Sequence, residues 1–245
     1  MSRRDQFLLR TALAEERSTS DMSATFSSML DEEDEFGEGD EWEEDGVESD
    51  VDETLLVSNL GLSDETVRAL QARGITALFP IQRLVLQPAM EGRDLIGRAK
   101  TGSGKTLAFA LPVIEGILAE DREAAGGVPL DGRRRRGVPG RAPRCIVLAP
   151  TRELANQVAK EFESACPNLV VRSFYGGVPI GAQIRDLAGG VDVVVGTPGR
   201  VMDLIDRRSL KLDKIRYAVL DEADQMLDMG FQEDMENILG QAAGT

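Results

Sequence analysis

From Leu55 onward, short apolar runs alternate with helical segments. The clearest runs are Cys145-Ile146-Val147-Leu148, Leu169-Val170-Val171, residues 191–195 and Tyr217-Ala218-Val219-Leu220. A strand with one wet face alternates apolar and polar residues, whereas a near-continuous apolar run is covered on both faces. Such strands alternating with helices predict an α/β fold, a parallel sheet with flanking helices. Asp94-Leu95-Ile96-Gly97 predicts one more short strand, and an apolar helix follows to about Leu118. Residues 126–143, rich in Gly, Pro and Arg, predict an exposed loop. No internal repeat is visible, and no run approaches the ~18 apolar residues of a membrane span.

Ahead of Leu55 the pattern is lost. Residues 31–53 carry fifteen acids and no bases, with little apolar content beyond Phe36, Trp42 and a few valines. Such a segment buries too little surface to offset the entropy of ordering. Residues 1–54 are therefore expected to be a disordered acidic extension. Arg3, Arg4, Arg10 and Arg17, followed by serines and threonines, suggest a transit peptide, against which Asp5, Glu15 and Glu16 argue. No secretory apolar core is present. The net charge of −15 comes from 28 Lys+Arg against 43 Asp+Glu. Setting the acidic tract aside leaves 28 acids against 28 bases, so local basic patches can still meet a polyanion.

The chain has no histidine and two cysteines, Cys145 and Cys166, without metal-ligand spacing. Zinc chemistry, a histidine base and a Cys/His nucleophile pair fall away. What stands out is Ala99-Lys100-Thr101-Gly102-Ser103-Gly104-Lys105-Thr106, between a predicted strand and a predicted helix. Ala99 replaces the Gly of the strict phosphate-loop formula. Gly102 and Gly104 let backbone N–H groups turn inward around phosphate oxygens, and the helix N-terminus adds partial positive charge. Lys105 brings a point charge to the outer phosphates, and the Thr106 hydroxyl can ligate Mg²⁺. The run 217–220 delivers Asp221 and Glu222 at a strand end. Alone, two such acids are most often a solvated turn. In a chain with a phosphate loop, Asp221 would hold the metal and Glu222 would orient and deprotonate an attacking water.

Asp221-Glu222-Ala223-Asp224, extended by Gln225-Met226-Leu227-Asp228-Met229-Gly230-Phe231, resembles the signature of the DEAD-box ATP-dependent RNA helicases. Gly74-Ile75-Thr76 to Pro80-Ile81-Gln82 resembles that family's Q motif, which implies that Gln82 reads the adenine edge and that ATP is preferred over GTP. Leu78-Phe79 stands where Pro-Thr is usual, and Val57 stands where most members carry an aromatic that packs beside adenine. Pro150-Thr151-Arg152-Glu153-Leu154-Ala155, Gly176-Gly177 and Thr197-Pro198-Gly199-Arg200 resemble three RNA-contacting motifs. Each lies between a predicted strand and a predicted helix, so the loops are expected at the carboxyl edge of the sheet. Within the family the look is nearest to a plant plastid helicase and to nucleolar Gu-type helicases.

The resemblance implies a RecA-like P-loop lobe over residues 55–245. It implies ATP and Mg²⁺ as cofactors, and Lys105, Asp221 and Glu222 as catalytic residues. It also implies RNA held through phosphates and 2′-hydroxyls, largely without regard to base sequence. A plastid location follows from the subgroup, with the nucleus, nucleolus and cytoplasm as alternatives and secretion disfavoured. The acidic tract could mimic RNA on basic surface. The arginines 133–136, with Arg141 and Arg144, form either a solvated loop or an auxiliary RNA or localisation contact. The sequence stops before the family's Ser-Ala-Thr motif and second lobe. An incomplete lobe is thus expected, with an exposed edge or missing core strand, weak ATP binding and negligible unwinding by itself. A competing reading is an ATP-gated RNA clamp with little turnover. A transporter motor would need a Leu-Ser-Gly-Gly-Gln signature, which the sequence lacks. The central geometric expectation is that Lys105 and Asp221 face one magnesium-bound triphosphate across adjoining strand ends.

Overall fold

The computed structural model describes residues 4–11, 55–100, 102–126 and 139–243. Six strands form one sheet: β1 (Arg4–Thr11), β2 (Leu95–Lys100), β3 (Cys145–Leu148), β4 (Val171–Phe174), β5 (Val193–Gly196) and β6 (Tyr217–Asp221). Their order is β2-β1-β6-β3-β5-β4. Strands β6, β3, β5 and β4 run parallel to their neighbours, while β1 is antiparallel to both β2 and β6. The helices are α1 (Asp64–Ala72), α2 (Pro80–Met90), α3 (Lys105–Ala124), α4 (Arg152–Ala165), α5 (Ile180–Ala188), α6 (Pro198–Asp206), α7 (Ala223–Asp228) and α8 (Gln232–Ala243).

Every residue of β3 and β5 is buried, and the strand period of two sends alternate side chains into two cores. Val147, Val193, Val195 and Val219 join one core with α1 to α4. Ile146, Val194, Ala218 and Leu220 join the other with α5 to α8. Phe109 of α3 meets Phe162 of α4 with ring centroids 6.3 Å apart, tilted 38°. Full burial of one such ring contributes roughly 1.5–3 kcal/mol. Gly116 interrupts the apolar run of α3 for a steric reason: a Cβ there would overlap the Tyr217 hydroxyl of β6. That close approach seats α3 on the strand that ends in Asp221.

Three expectations are corrected. The residues 169–171 and 191–195 were each expected to be strand throughout, yet β4 begins at Val171 and β5 at Val193. The cause is Asp192, fully buried inside an apolar run. Its carboxylate accepts from the Val170 N–H at 2.8 Å, from Arg141 at 2.8 Å and from Arg144 at 3.1 Å. Arg144 also grips Asp121 of α3 at 2.6 Å, so this guanidinium bolts α3 to the start of β5. Burial works against the Arg144 charge, but hydrogen bonds and charge from Asp121 and Asp192 outweigh it and raise its pKa. Arg141 and Arg144 therefore belong to a structural ion-pair cluster, not to an open basic loop; residues 133–136 lie outside the described residues.

The second correction concerns residues 1–54, expected to be disordered throughout. Residues 4–11 form β1, and its apolar sequence Phe7-Leu8-Leu9 lies ahead of the acidic tract. The entropy argument applied to that tract, which lies outside the described residues, and does not reach the first eleven. The third correction follows from the second. Of the exposed edge or missing core strand expected, the latter is not seen, since β1 lies between β2 and β6, while β2 stands at the edge of the sheet. Among the described residues β2 pairs with β1 alone.

An interior strand uses its backbone N–H groups on one neighbour or the other, so a proline in it deletes a ladder hydrogen bond and leaves the facing carbonyl unsatisfied, at a cost of about 1–3 kcal/mol. Leu8→Pro is therefore expected to lower the melting temperature of the chain by roughly 2–12 °C. An unchanged melting curve would show that β1 does not hold the sheet together.

Candidate functional site

β2 and β6 are each antiparallel to β1 and hence parallel to one another. Phe7 pairs with Gly97 on one side and with Asp221 on the other, so those two residues lie level. Gly97 and Asp221 are not on adjoining strands, as expected from sequence, but flank one strand, roughly 10 Å apart, and β2 runs on three residues further, to Lys100. Strand alternation puts Asp221 on the face of Tyr217 and Val219, the face that α3 covers. Lys105 opens α3. The phosphate loop and the acidic strand end therefore share one edge and one face of the sheet.

The loop leaves β2 through Ala99 and Lys100, whose backbones pair with Asp5 and Arg4 of β1. Thr101 lies outside the described residues. Gly102 has φ +85° and Gly104 φ +78°, values that side chains other than glycine rarely adopt. Gly104 is constrained a second time, because a Cβ there would overlap the Gln82 amide nitrogen. No side chain caps α3, so its first-turn N–H groups keep their partial positive charge for an anion. The Ser103 hydroxyl is buried without a hydrogen-bond partner. A buried orphan hydroxyl is costly unless a ligand oxygen completes it. Lys105 is 9% exposed, and the Thr106 side chain is half-buried beside it. This donor set fits phosphate, and the Thr106 hydroxyl with the Asp221 carboxylate fits a hard cation that takes its other ligands from phosphate and water.

Gln82 lies in the first turn of α2 and is buried. Its amide oxygen accepts from the Phe79 N–H at 2.8 Å, and its amide nitrogen donates to the Gly104 carbonyl at 3.0 Å. The side chain thus clips the start of α2 to the last turn of the phosphate loop. One N–H and one lone pair of the amide remain beyond these two bonds. Val57 is fully packed in the core.

Asp221 is 3% exposed. Glu222 has φ 53° and ψ 51°, the left-handed region, and directly precedes α7. For a residue other than glycine that conformation costs on the order of 1 kcal/mol. It turns the chain sharply out of β6 immediately after the buried carboxylate.

The loops after β3, β4 and β5 emerge at the same edge. Pro150 is buried, and the Thr151 hydroxyl caps α4 by accepting from the Leu154 N–H at 3.2 Å. Arg152 and Glu153 are exposed and pair with each other at 2.5 Å. Their hydrogen bond raises the Arg152 pKa and lowers that of Glu153. Gly176 and Gly177 form an exposed turn, with Gly177 at φ +82°. Thr197 precedes α6, Pro198 is its buried first residue, and Gly199 follows. Arg200, by contrast, is mostly turned inward, its side chain 11% exposed. It donates to the Gln183 amide oxygen at 2.8 Å and the Val178 carbonyl at 3.2 Å. Gln183 in turn donates to the Tyr175 carbonyl at 3.2 Å. Arg200 and Gln183 thereby fix the 175–178 turn against α6. Sequence reading missed Gln183, because an isolated glutamine on a helix carries no pattern.

Two surface hollows lie away from this edge. One is lined by Pro167, Val170, Gly189 and Gly190 at the amino ends of β4 and β5, the other by Leu60, Leu86 and Met90 beside α2. Both cysteines are buried, and burial pushes the Cys145 thiol far up, which leaves it inert. No helix among the described residues is long and apolar enough to cross a membrane.

This edge, with a glycine loop opposite two acids and three helix starts beside them, is that of a P-loop nucleotide-binding protein with a RecA-like sheet. Residues 79–244 match the family model described as DEAD/DEAH box helicase, and the chain belongs to that family. It is 54% identical over 185 residues to the mitochondrial DEAD-box ATP-dependent RNA helicase 9 of Arabidopsis thaliana, covering 76% of this chain and 28% of that protein. It is 52% identical over 221 residues to the chloroplastic DEAD-box ATP-dependent RNA helicase 3B of Zea mays, covering 90% and 27%. It is 47% identical over 201 residues to nucleolar RNA helicase 2 of Rattus norvegicus, covering 79% and 24%. The chain thus spans about a quarter of the length of these curated relatives. The crystal structure of a DEAD box protein from the hyperthermophile Methanococcus jannaschii superposes with a TM-score of 0.62 at 36% identity, covering 76% of this chain and 47% of that one.

The strained backbone at Glu222 gives a stability test. Glu222→Gly should relieve the left-handed strain and raise the melting temperature by a few degrees, about 1 kcal/mol, although it deletes a site carboxylate. A fall in melting temperature would show that interactions of the Glu222 side chain outweigh the strain.

Proposed function

We propose that this chain is the ATP-binding lobe of an ATP-dependent RNA helicase, over residues 55–245, with residues 4–11 completing its sheet. The observation that carries the reading is the level pairing of Gly97 and Asp221 across Phe7, which sets the strand that feeds the phosphate loop two strand spacings from the acidic end at one edge of the sheet. Gly102, Ser103 and Gly104 bind the phosphates through backbone amides and one hydroxyl. Lys105 adds a buried positive charge. Thr106 and Asp221 would hold Mg²⁺, which when bound neutralises charge on the outer phosphates. Glu222 receives the proton of the attacking water on its carboxylate and orients that water by the same contact. Gln82 ties the base-side helix to the loop, so occupancy at either end is felt at the other.

The helix starts at Thr151 and Thr197 and the turn at Gly176-Gly177 lie beside the acidic end in the order β6, β3, β5, β4. Arg152, Pro150, Glu153, Pro198 and Gly199 complete that row. N–H groups at helix starts and an exposed guanidinium suit RNA phosphates without reading bases. Arg200 supports the row from beneath. Separation of short duplexes requires a second RecA-like lobe, a partner in the whole protein, so the isolated chain binds ATP weakly and does not unwind. The plastid reading of location is supported by the maize relative that covers 90% of the chain.

The test is titration of the chain with ATP and Mg²⁺. Weak saturable binding is expected, and Lys105→Ala should weaken it about tenfold or more, the scale of one lost charge-assisted contact. Absence of binding, or binding indifferent to Lys105, would contradict the proposal.

A further inference from the structure

Phe79 occupies the N-cap position of α2, where a short polar side chain is favoured because it can accept a helix N–H. Here no side chain accepts a first-turn N–H; Gln82 supplies only the reciprocal half of a cap, its amide oxygen accepting from the Phe79 N–H. The phenyl ring is left 59% exposed, and it is the sole aromatic among the large exposed apolar side chains of the described residues. Single exposed apolar side chains are ordinary, so what matters about this ring is where it stands. Its position is defined by the phosphate loop: a Cβ built on Gly104 would come within 2.9 Å of the ring carbon Cδ2. The ring thus borders the last glycine of the loop, beside the Gln82 amide that bonds the Gly104 carbonyl. Val57, by contrast, is 1% exposed and packed in the core, with no open face to offer.

Taking the nucleotide reading above as its premise, we propose that Phe79 is the platform on which the nucleobase packs. A nucleotide whose phosphates occupy the 102–106 loop carries its base to the rim of that loop, where the exposed ring stands. Ring-on-base packing is tolerant of base identity because every base presents a π-face. Phe79 therefore supplies affinity for the nucleoside end, and any discrimination between purines rests on polar groups such as the remaining N–H and lone pair of Gln82. Phe79 acts on the base and not on the phosphates, and this separates the proposal from a purely structural role at the start of α2.

Calorimetric titration of the full chain with ATP, GTP and tripolyphosphate, each with Mg²⁺, tests it. Phe79→Ala should weaken ATP and GTP by a common factor of about tenfold and leave tripolyphosphate unchanged. Phe79→Leu, which keeps apolar bulk without a ring, should behave as the alanine variant does, and Phe79→Tyr should retain wild-type affinity. The proposal is overturned if Phe79→Ala or Phe79→Leu binds ATP as the wild type does. It is equally overturned if tripolyphosphate weakens as much as ATP. A wild-type chain that binds tripolyphosphate but not ATP also overturns the platform alone, whereas one that binds neither overturns the nucleotide reading with it.

Discussion

The hydrogen-bond ladders on the two sides of β1 are the constraint on which the site depends. β2 carries the phosphate loop, β6 carries Asp221, and β1 alone among the described residues joins them. The register of those ladders sets Gly97 level with Asp221, and a slip of one residue would turn one set of side chains to the wrong face. Helix packing assists: Arg144 bolts α3 to β5 through Asp121 and Asp192, and Gly116 lets α3 approach Tyr217. Those contacts place α3 over β6, but the spacing between loop and acid is set by the intervening strand.

Along the carboxyl edge the chemistry is laid out in a line. The phosphate loop stands at β2, the acids at β6, and the proposed RNA-facing helix starts at β3 and β5, with the glycine turn at β4. The acidic end is therefore the common border of the two halves. Each half has a buried glutamine as its fastener. Gln82 joins α2 to Gly104, and Gln183 joins Arg200 to the 175–178 turn. Both place backbone rather than presenting their own side chain to solvent. Glu222 stands at the border in a strained conformation, where a site holds its backbone away from the most stable form.

Much of the fold was legible because buried parallel strands announce themselves as apolar runs. Cys145–Leu148 matched its predicted strand and the Asp221-Glu222 turn fell at the expected strand end, while β2 ran on through Ala99 and Lys100, which the sequence had placed in the glycine loop. What was not legible shares a physical cause: long-range pairing. Asp192 sits in an apolar run, and only the approach of Arg141 and Arg144 from 51 and 48 residues away explains its burial. The same arginines looked like part of a basic loop because sequence gives no partner for a charge. Residues 4–11 were submerged in an extension defined by its acidic tract, and strand pairing across some ninety residues has no local signal. At the site, spacing placed Arg200 and Gly199 together but could not show that the Arg200 guanidinium turns inward.

The central claim is that Lys105 and Asp221 act on one bound nucleotide across β1. A double-mutant cycle on Mg²⁺-ATP affinity, with Lys105→Ala, Asp221→Asn and the pair, measures it directly. Groups sharing one ligand are coupled, so the double variant should lose much less than the product of the two single effects, a coupling of about 1 kcal/mol or more. Losses that simply multiply would show that the loop and the acidic strand end do not meet the same ligand.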